Sequence, residues 1–401
     1  MEPLNLMLVG CGMMGARHLR GYGELERVRP GSLKLRAVCD PQTDIAEAVA
    51  SEAEELLGTR PATYPTALEA LAAEPDIEAA DVVTGNRLHD PIAIPVLEAG
   101  VHVLCEKPLG LTVARGQAII KAAREAERVL AVAENNRRDP VNRLVKHLIG
   151  SGLIGDPHFV LQNQIMSGRR IIASVWRHAF SEGGLALDVG IHQAYMFEML
   201  LGRIESVYAQ SKQVWPTRLG PGPDGPDAEV PVESDDCFSA ALSFENGVQG
   251  TWVLHFGCTG AGMFQRHVFG TLGTLEAPSG RSGGAPKARL EGKVVEGEAL
   301  LERAPEFALN DTETELWGGP LGSYSEEGPV TDRRLIAAEV ADFISAIRDG
   351  REPEVPGELG LRAVAIIYAV LESAALGEPV RVADVLSGEV REVQDRVEEA
   401  G

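Results

Sequence analysis

Asp188 and His192 place a carboxylate and an imidazole four residues apart, within the stretch Gly183-Gly184-Leu185-Ala186-Leu187-Asp188-Val189-Gly190-Ile191-His192. On an α-helix, positions i and i+4 share a face, so the two side chains are expected to project side by side. An imidazole titrates near neutrality and a carboxylate can orient it, which is equipment for general acid/base chemistry. Pairs of this kind are also common on surfaces that do no chemistry. Two upstream features separate this pair from those: a nucleotide fingerprint and a Glu106-Lys107-Pro108 step.

The fingerprint is Gly10-Cys11-Gly12-Met13-Met14-Gly15, directly after the apolar run 4–9 and opening a helical stretch. The first glycine permits a tight turn, the second lets a pyrophosphate approach the backbone, and the third lets helix and strand pack closely. Unpaired N–H groups at the helix N-terminus then face the phosphates. Among 44 glycines such a match alone carries little weight; in strand-turn-helix context it is a strong signal. Asp40 ends the next apolar run at the distance where an acid bonds the adenosine ribose, and it would repel a 2′-phosphate, so NAD is favoured over NADP. Asp40 is equally suited to capping the helix that follows Pro41, and Arg36 lies within the same run.

Lys107 follows the run 101–105, at the carboxyl end of a strand, where open α/β sheets place ligands. Cations in this chain are mostly arginine, which makes a lysine there less routine. Glu106 can pair with it or help hold the cofactor.

At 401 residues the chain exceeds what one hydrophobic core supports, so two domains are expected. A net charge of −22 argues against nucleic acid or anionic membrane as partner. No signal peptide or run of eighteen apolar residues is evident, and a cytoplasmic protein is expected. Cys11, Cys39, Cys105, Cys237 and Cys258 form neither a disulfide framework nor a zinc pattern and read as small hydrophobes. No metal site is expected.

Up to residue 134, apolar runs at 4–9, 34–39, 78–84, 101–105 and 129–133 alternate with helical stretches at 14–25, 43–57, 91–99 and 113–126. This is the pattern of a doubly wound parallel sheet, α/β in class. Residues 135–401 read as an α+β domain with a large, mainly antiparallel sheet. Strands are expected at 157–165, 204–213, 237–244, 250–256, 266–269 and 274–275, with a hairpin turn at Glu245-Asn246-Gly247. Helices are expected at 140–149, across the Asp188/His192 pair, and at 333–347 and 359–376; 390–399 reads as a charged, exposed end. Two stretches, 216–236 and 278–329, read as long loops. Trp252 and Phe256 are expected on an exposed sheet face that finds a partner.

Several segments together resemble the signature of the Gfo/Idh/MocA oxidoreductases, the glucose-fructose oxidoreductase and inositol dehydrogenase family. They are Thr84-Gly85-Asn86-Arg87-Leu88-His89, residues 98–109 ending in Glu106-Lys107-Pro108-Leu109, Asn136-Arg137-Arg138-Asp139-Pro140, Trp176-Arg177, the 183–192 block and residues 343–353. The resemblance implies a Rossmann domain at 1–134 and a substrate-binding domain at 135–401, with the active site between them. It also implies a homo-oligomer, dimer or tetramer, formed through the second sheet. It makes Lys107, Asp188 and His192 the catalytic set and the Lys107–Pro108 bond often cis. Thr84, Asn86, His89, Glu106, Lys107, Asn136 and Trp176 then join Gly10, Gly12, Met13, Met14, Gly15 and Asp40 around the cofactor. Lys107, Arg138, Arg177, Asp188 and His192 face the substrate. Three positions depart from the usual pattern: Gly85 for a proline, Glu182 for a glycine and Tyr195 for an aspartate. Glu182, Tyr195 and His178 are therefore candidates for an altered pocket.

The reaction this implies is hydride transfer between nicotinamide and a secondary hydroxyl of a sugar, cyclitol or glycoside. His192 takes the hydroxyl proton, Lys107 stabilises alkoxide character, and Asp188 orients substrate and imidazole. Two other readings stand beside it: a redox-assisted glycosidase that retains NAD, and a nucleotide-sensing regulator without chemistry.

Overall fold

The computed structural model describes residues 2–222 and 225–401. In the first third of the chain β1 (Leu4–Val9), α1 (Met13–Val28), β2 (Leu33–Cys39), α2 (Thr43–Leu57), β3 (Ala62–Tyr64), α3 (Ala67–Ala73), β4 (Ala79–Val82), α4 (His89–Glu98), β5 (His102–Glu106), α5 (Val113–Glu125) and β6 (Leu130–Ala133) alternate. The six strands form one parallel sheet in the order β3-β2-β1-β4-β5-β6, the doubly wound Rossmann order. Its central strands β1, β4 and β5 are almost continuously buried, as a sheet covered on both faces requires. The sequence reading missed β3, a three-residue edge strand too short to show a periodicity.

The remaining elements are α6 (Pro140–Gly150), β7 (Pro157–Ser167), α7 (Ile191–Leu201), β8 (Ile204–Lys212), β9 (Thr217–Gly222), β10 (Gly225–Pro231), β11 (Cys237–Phe244), β12 (Gln249–Cys258), β13 (Met263–Gly270), β14 (Gly273–Ala277), β15 (Lys287–Leu290) and β16 (Lys293–Glu296). They are followed by α8 (Glu298–Leu301), α9 (Asp311–Trp317), α10 (Gly328–Asp349), α11 (Gly357–Leu376), β17 (Val380–Arg381), α12 (Val382–Ser387) and α13 (Glu392–Glu399). Nine strands make a second sheet, β16-β15-β14-β13-β7-β12-β11-β8-β17. All its pairings are antiparallel except β12 with β7. The turn at Glu245-Asn246-Gly247 joins β11 to β12 as the sequence indicated.

The two supposed loops are largely ordered structure. Residues 216–236 carry β9 and β10, which pair antiparallel, with Pro223 and Asp224 outside the described residues. Residues 278–329 carry β15, β16, α8 and α9. Proline, glycine and acid obscured these short elements, because none is long enough for burial to impose a clear repeat. Trp252 and Phe256 are a second correction. Alternation along β12 turns both inward with Leu254, and they are 0% and 1% exposed. Trp252 meets Phe238 and Phe197 edge-on, with ring centroids 4.8 and 5.3 Å away, a favoured aromatic geometry.

The chain divides into two compact units, and the division does not fall at a single point. The first comprises Met1–Pro140, Ala308–Pro320 and Glu326–Leu361; the second holds the rest. Within the first, α10 lies against α1, where a Cβ on Gly21 would stand 2.4 Å from Ile336, so glycine is what lets these helices meet. The expected domain of 135–401 therefore lends α9 and α10 to the nucleotide-binding unit. Glu313 and Asn310 form a capping box at the start of α9. α11, expected from the sequence as a helix at 359–376, is long and apolar enough to cross a membrane, yet 61% of that window is buried within the protein, as in a core helix. Among the described residues no cluster of metal-ligating side chains occurs, and all five cysteines are free thiols.

Candidate active site

The turn from β1 into α1 is shaped by its glycines. Gly10 has φ +94°, and a Cβ there would lie 2.3 Å from the Val83 carbonyl oxygen; one on Gly15 would lie 2.0 Å from the Gly10 oxygen. Gly12 is different, since a Cβ there would meet no atom within 4 Å. It caps α1 in extended backbone with no side-chain hydrogen bond to the first turn, leaving those N–H groups for an outside acceptor. The open space at Gly12, directly before unpaired donors, fits a dinucleotide pyrophosphate. Met13 is exposed and Met14 half-buried beside it. Asp40 reaches back from the end of β2: its Oδ2 accepts from Cys11 N and its Oδ1 from Gln42 N, both at 2.9 Å. It thus ties β2 to the glycine turn and is not the cap of α2, whose N-cap is Gln42. Burial, with Asp40 second, pushes the Cys11 thiol up to about 12, so it is a packing group and not a nucleophile.

Lys107 follows β5 directly, and its bond to Pro108 is cis. The backbone on both sides is held. Lys107 N donates to Glu106 Oε2 at 2.9 Å, and His89 Nδ1 lies 2.7 Å from the Pro108 oxygen. His89 Nε2 lies 3.2 Å from the Thr84 oxygen. Burial holds His89 below its usual range, against the opposing pull of both carbonyls, and a neutral imidazole has one N–H to give. Which of the two carbonyls takes it depends on the tautomer. His89 is 0% exposed and holds the segment after Lys107 through the Pro108 oxygen. Asn86 is buried in a short 3-10 turn before α4, next to half-buried Thr84. Asn136 lies in the 3-10 turn Asn135–Arg138, whose start is capped by Glu134, with Asn136 N on Glu134 Oε1 at 2.9 Å.

Arg138, expected at the substrate, is buried in this unit between Asp342 and Glu354, at 2.9 and 2.5 Å. A buried guanidinium needs such partners, and these come from α10 and the segment after it. The sequence could not show them, being more than two hundred residues away.

In the second unit, the segment carrying Asp188 is not plain α-helix. Ala186–Gly190 forms a π turn that runs into α7, and His192 sits in the first turn of α7. The expected i,i+4 relation on one α-helix is thereby replaced by a π-to-α junction, a feature often found at functional sites. Asp188 is buried and His192 half-buried. The Arg177 guanidinium contacts the Asp188 carboxylate and lies 5.0 Å from the Trp176 ring centroid. Arg177 therefore supplies the countercharge of Asp188, while Trp176 keeps about a third of its surface exposed. His178 is buried, and its Nε2 accepts from Ile172 N at 3.0 Å. Tyr195 is buried and Glu182 half-buried. Sequence reasoning missed His18, Tyr22 and Asp81, which pack beneath Glu106; the available signal was an imidazole one turn past Gly15.

A parallel sheet in Rossmann order, with an open glycine turn before the N-terminus of its first helix, defines a nucleotide-binding fold. Residues 4–134 match the model of the Gfo/Idh/MocA oxidoreductase family, NAD-binding Rossmann fold, and residues 146–382 match that family's C-terminal alpha/beta domain. The chain belongs to this family. It is 30% identical to the levoglucosan dehydrogenase of Pseudarthrobacter phenanthrenivorans over 63% of this chain and 67% of that one. It is 26% identical to the myo-inositol 2-dehydrogenase of Thermotoga maritima over 91% and 98%. A crystal structure of an NAD binding oxidoreductase from Klebsiella pneumoniae superposes with a TM-score of 0.78 at 26% identity, covering 95% of this chain and 99% of that one.

Proposed function

We propose that this protein is an NAD-dependent dehydrogenase acting on a secondary hydroxyl of a sugar, cyclitol or glycoside. The observation that carries the reading is the doubly held Lys107 segment, an ammonium-bearing residue fixed through Glu106 and His89 at the carboxyl end of β5, in a chain whose relatives oxidise levoglucosan and myo-inositol. The nicotinamide, when bound, supplies the hydride acceptor. Lys107 hydrogen-bonds the reacting oxygen and stabilises its developing negative charge. His192 takes the hydroxyl proton at a ring nitrogen and returns it in the reverse direction. Asp188, its charge balanced by Arg177, orients the substrate and the imidazole. The Gly12 turn and Asp40 bind the pyrophosphate and ribose, with Thr84, Asn86, Asn136 and Trp176 completing the cofactor contacts. The enzyme acts as a homo-oligomer through the outer face of the nine-stranded sheet, where Tyr208 and Met263 are 44% and 40% exposed.

The test is to incubate the purified protein with NAD or NADP and a panel of inositols, free sugars, anhydrosugars and glycosides, following reduced nicotinamide by absorbance. Substrate-dependent NADH formation that Lys107→Ala abolishes is the expected result. Full turnover by Lys107→Ala would refute the assignment.

A further inference from the structure

Beneath Lys107 lies a set of charged and polar side chains with almost no access to water. His18 comes from α1, Tyr22 from the next turn of the same helix, Asp81 from β4, Glu106 from the end of β5 and Glu339 from α10. His18 is 0% exposed, and both its ring nitrogens face carboxylate oxygens: Nδ1 lies 2.8 Å from Asp81 Oδ2 and Nε2 lies 3.2 Å from Glu106 Oε1. Tyr22 donates to the same Asp81 oxygen at 2.5 Å. The other Glu106 oxygen is the one that accepts from Lys107 N. A chain of direct contacts therefore runs Asp81–His18–Glu106–Lys107, all within the nucleotide-binding unit.

We propose that His18 is a positioning residue, which donates from both ring nitrogens to hold the Glu106 carboxylate and, through it, the backbone that carries Lys107. This rests on the reading of Lys107 as a catalytic group. Ionised carboxylates only accept hydrogen bonds, and a neutral imidazole has one N–H, so a ring flanked by two of them is satisfied on both sides only when doubly protonated. Burial by itself would lower the affinity of His18 for a proton, but Asp81 and then Glu106 outweigh it, and the imidazole is held well above its ordinary range. The other groups facing the cluster are consistent with one cation here. Burial pushes Glu339 and Tyr22 well up, keeping both uncharged, and Arg138 is engaged with Asp342 and Glu354. His18 then balances one of two buried negative charges and holds the Glu106 oxygen that does not bond Lys107 N.

Two measurements that need no substrate decide this. In protein labelled with 15N at histidine, the signal lost in His18→Gln identifies His18, and its two ring nitrogens are expected to show the shifts of a doubly protonated ring through neutral pH into the alkaline range. A neutral ring, with the proton on Glu106 instead, overturns the proposal. Amide hydrogen exchange then reads the consequence, since local opening and global unfolding separate in this experiment. In His18→Gln the peptide spanning 103–109 is expected to exchange about tenfold faster or more, while peptides from β1 and the second sheet keep their rates. Glu106→Gln is expected to give the same local increase, and the double variant no more than either single one. Unchanged exchange at 103–109 in Glu106→Gln overturns the proposal even where His18→Gln does not fold. Full activity of Lys107→Ala would sink the catalytic reading while leaving these two results standing, so the two failures are distinguishable.

Discussion

Arg177 and Asp188 form a contact pair eleven residues apart, the guanidinium closing on a buried carboxylate while its flat face lies over Trp176. The acid that the sequence pairs with His192 thus has its charge balanced from the loop before the π turn. Removing one partner of a buried pair strands the other charge. Arg177→Leu is expected to lower kcat about tenfold or more and reduce stability, and adding Asp188→Asn should recover the stability without the activity. Steady-state kinetics and urea unfolding on the three variants check this; equal kcat in Arg177→Leu would show that the pair is structural only.

The glycine turn separates two kinds of loss. Gly15→Ala drives a Cβ into the Gly10 carbonyl, whereas Gly12→Ala meets nothing in the protein. Gly15→Ala should therefore lower the melting temperature. Gly12→Ala should leave it unchanged and weaken NADH binding about tenfold or more, because the methyl occupies the space the pyrophosphate needs. NADH fluorescence titration and a thermal melt distinguish them.

Asp40 bonds two backbone N–H groups on the protein side, and on the proposed reading its charge also faces the adenosine ribose. Asp40→Ser is expected to move the ratio of kcat/KM for NAD over NADP toward NADP by about tenfold or more, a difference of about 1.4 kcal/mol. An unchanged ratio would place cofactor choice elsewhere.

His178 gives the protein an acid limit. Burial first, then Arg218, pushes its pKa down to about 4, and Nε2 must stay unprotonated to accept from Ile172 N. A histidine neutral in the fold but free to protonate when unfolded costs stability as pH falls from about 6.5, the unfolded value, toward 4. Stability from urea melts should decline through that window. In His178→Gln, whose side-chain oxygen can accept the same N–H and does not titrate, the decline should be shallower. A parallel decline in both would assign it to other groups, such as His102, which burial also lowers to about 4.

Arg138 belongs to the scaffold on this structure. Arg138→Met leaves Asp342 and Glu354 without their common partner and is expected to cost about 3–5 kcal/mol of stability, with the KM for substrate little changed at temperatures where the variant is folded. A raised KM at full stability would return Arg138 to the substrate.

What was legible follows from the range of the interactions involved. The parallel strands, the glycine turn and the β11/β12 hairpin are written in local runs a few residues long, and their sequences show them. Asp40 stands directly after one such run, whereas the cis bond before Pro108 was expected from the family resemblance and not from the run that precedes it. The π turn at Asp188 is invisible in the sequence because nothing in the spacing of residues 186–190 separates it from the α-helix it runs into. Trp252 was misplaced for a related reason, since alternation marks two faces of a strand but not which one is covered. Arg138 and His18 find partners more than sixty residues away, beyond any spacing rule.

The return of α10 to α1 has a consequence for how the molecule is made. The core behind the glycine turn includes Gly21 against Ile336, and Val132 of β6 hydrogen-bonds Val355 at 2.9 Å. A ribosome must therefore deliver some 350 residues before the nucleotide-binding unit can close. The amino-terminal segment waits, incomplete, while the whole of the nine-stranded sheet except β17 is synthesised, and a fragment ending near residue 134 should emerge with the α1 face bare.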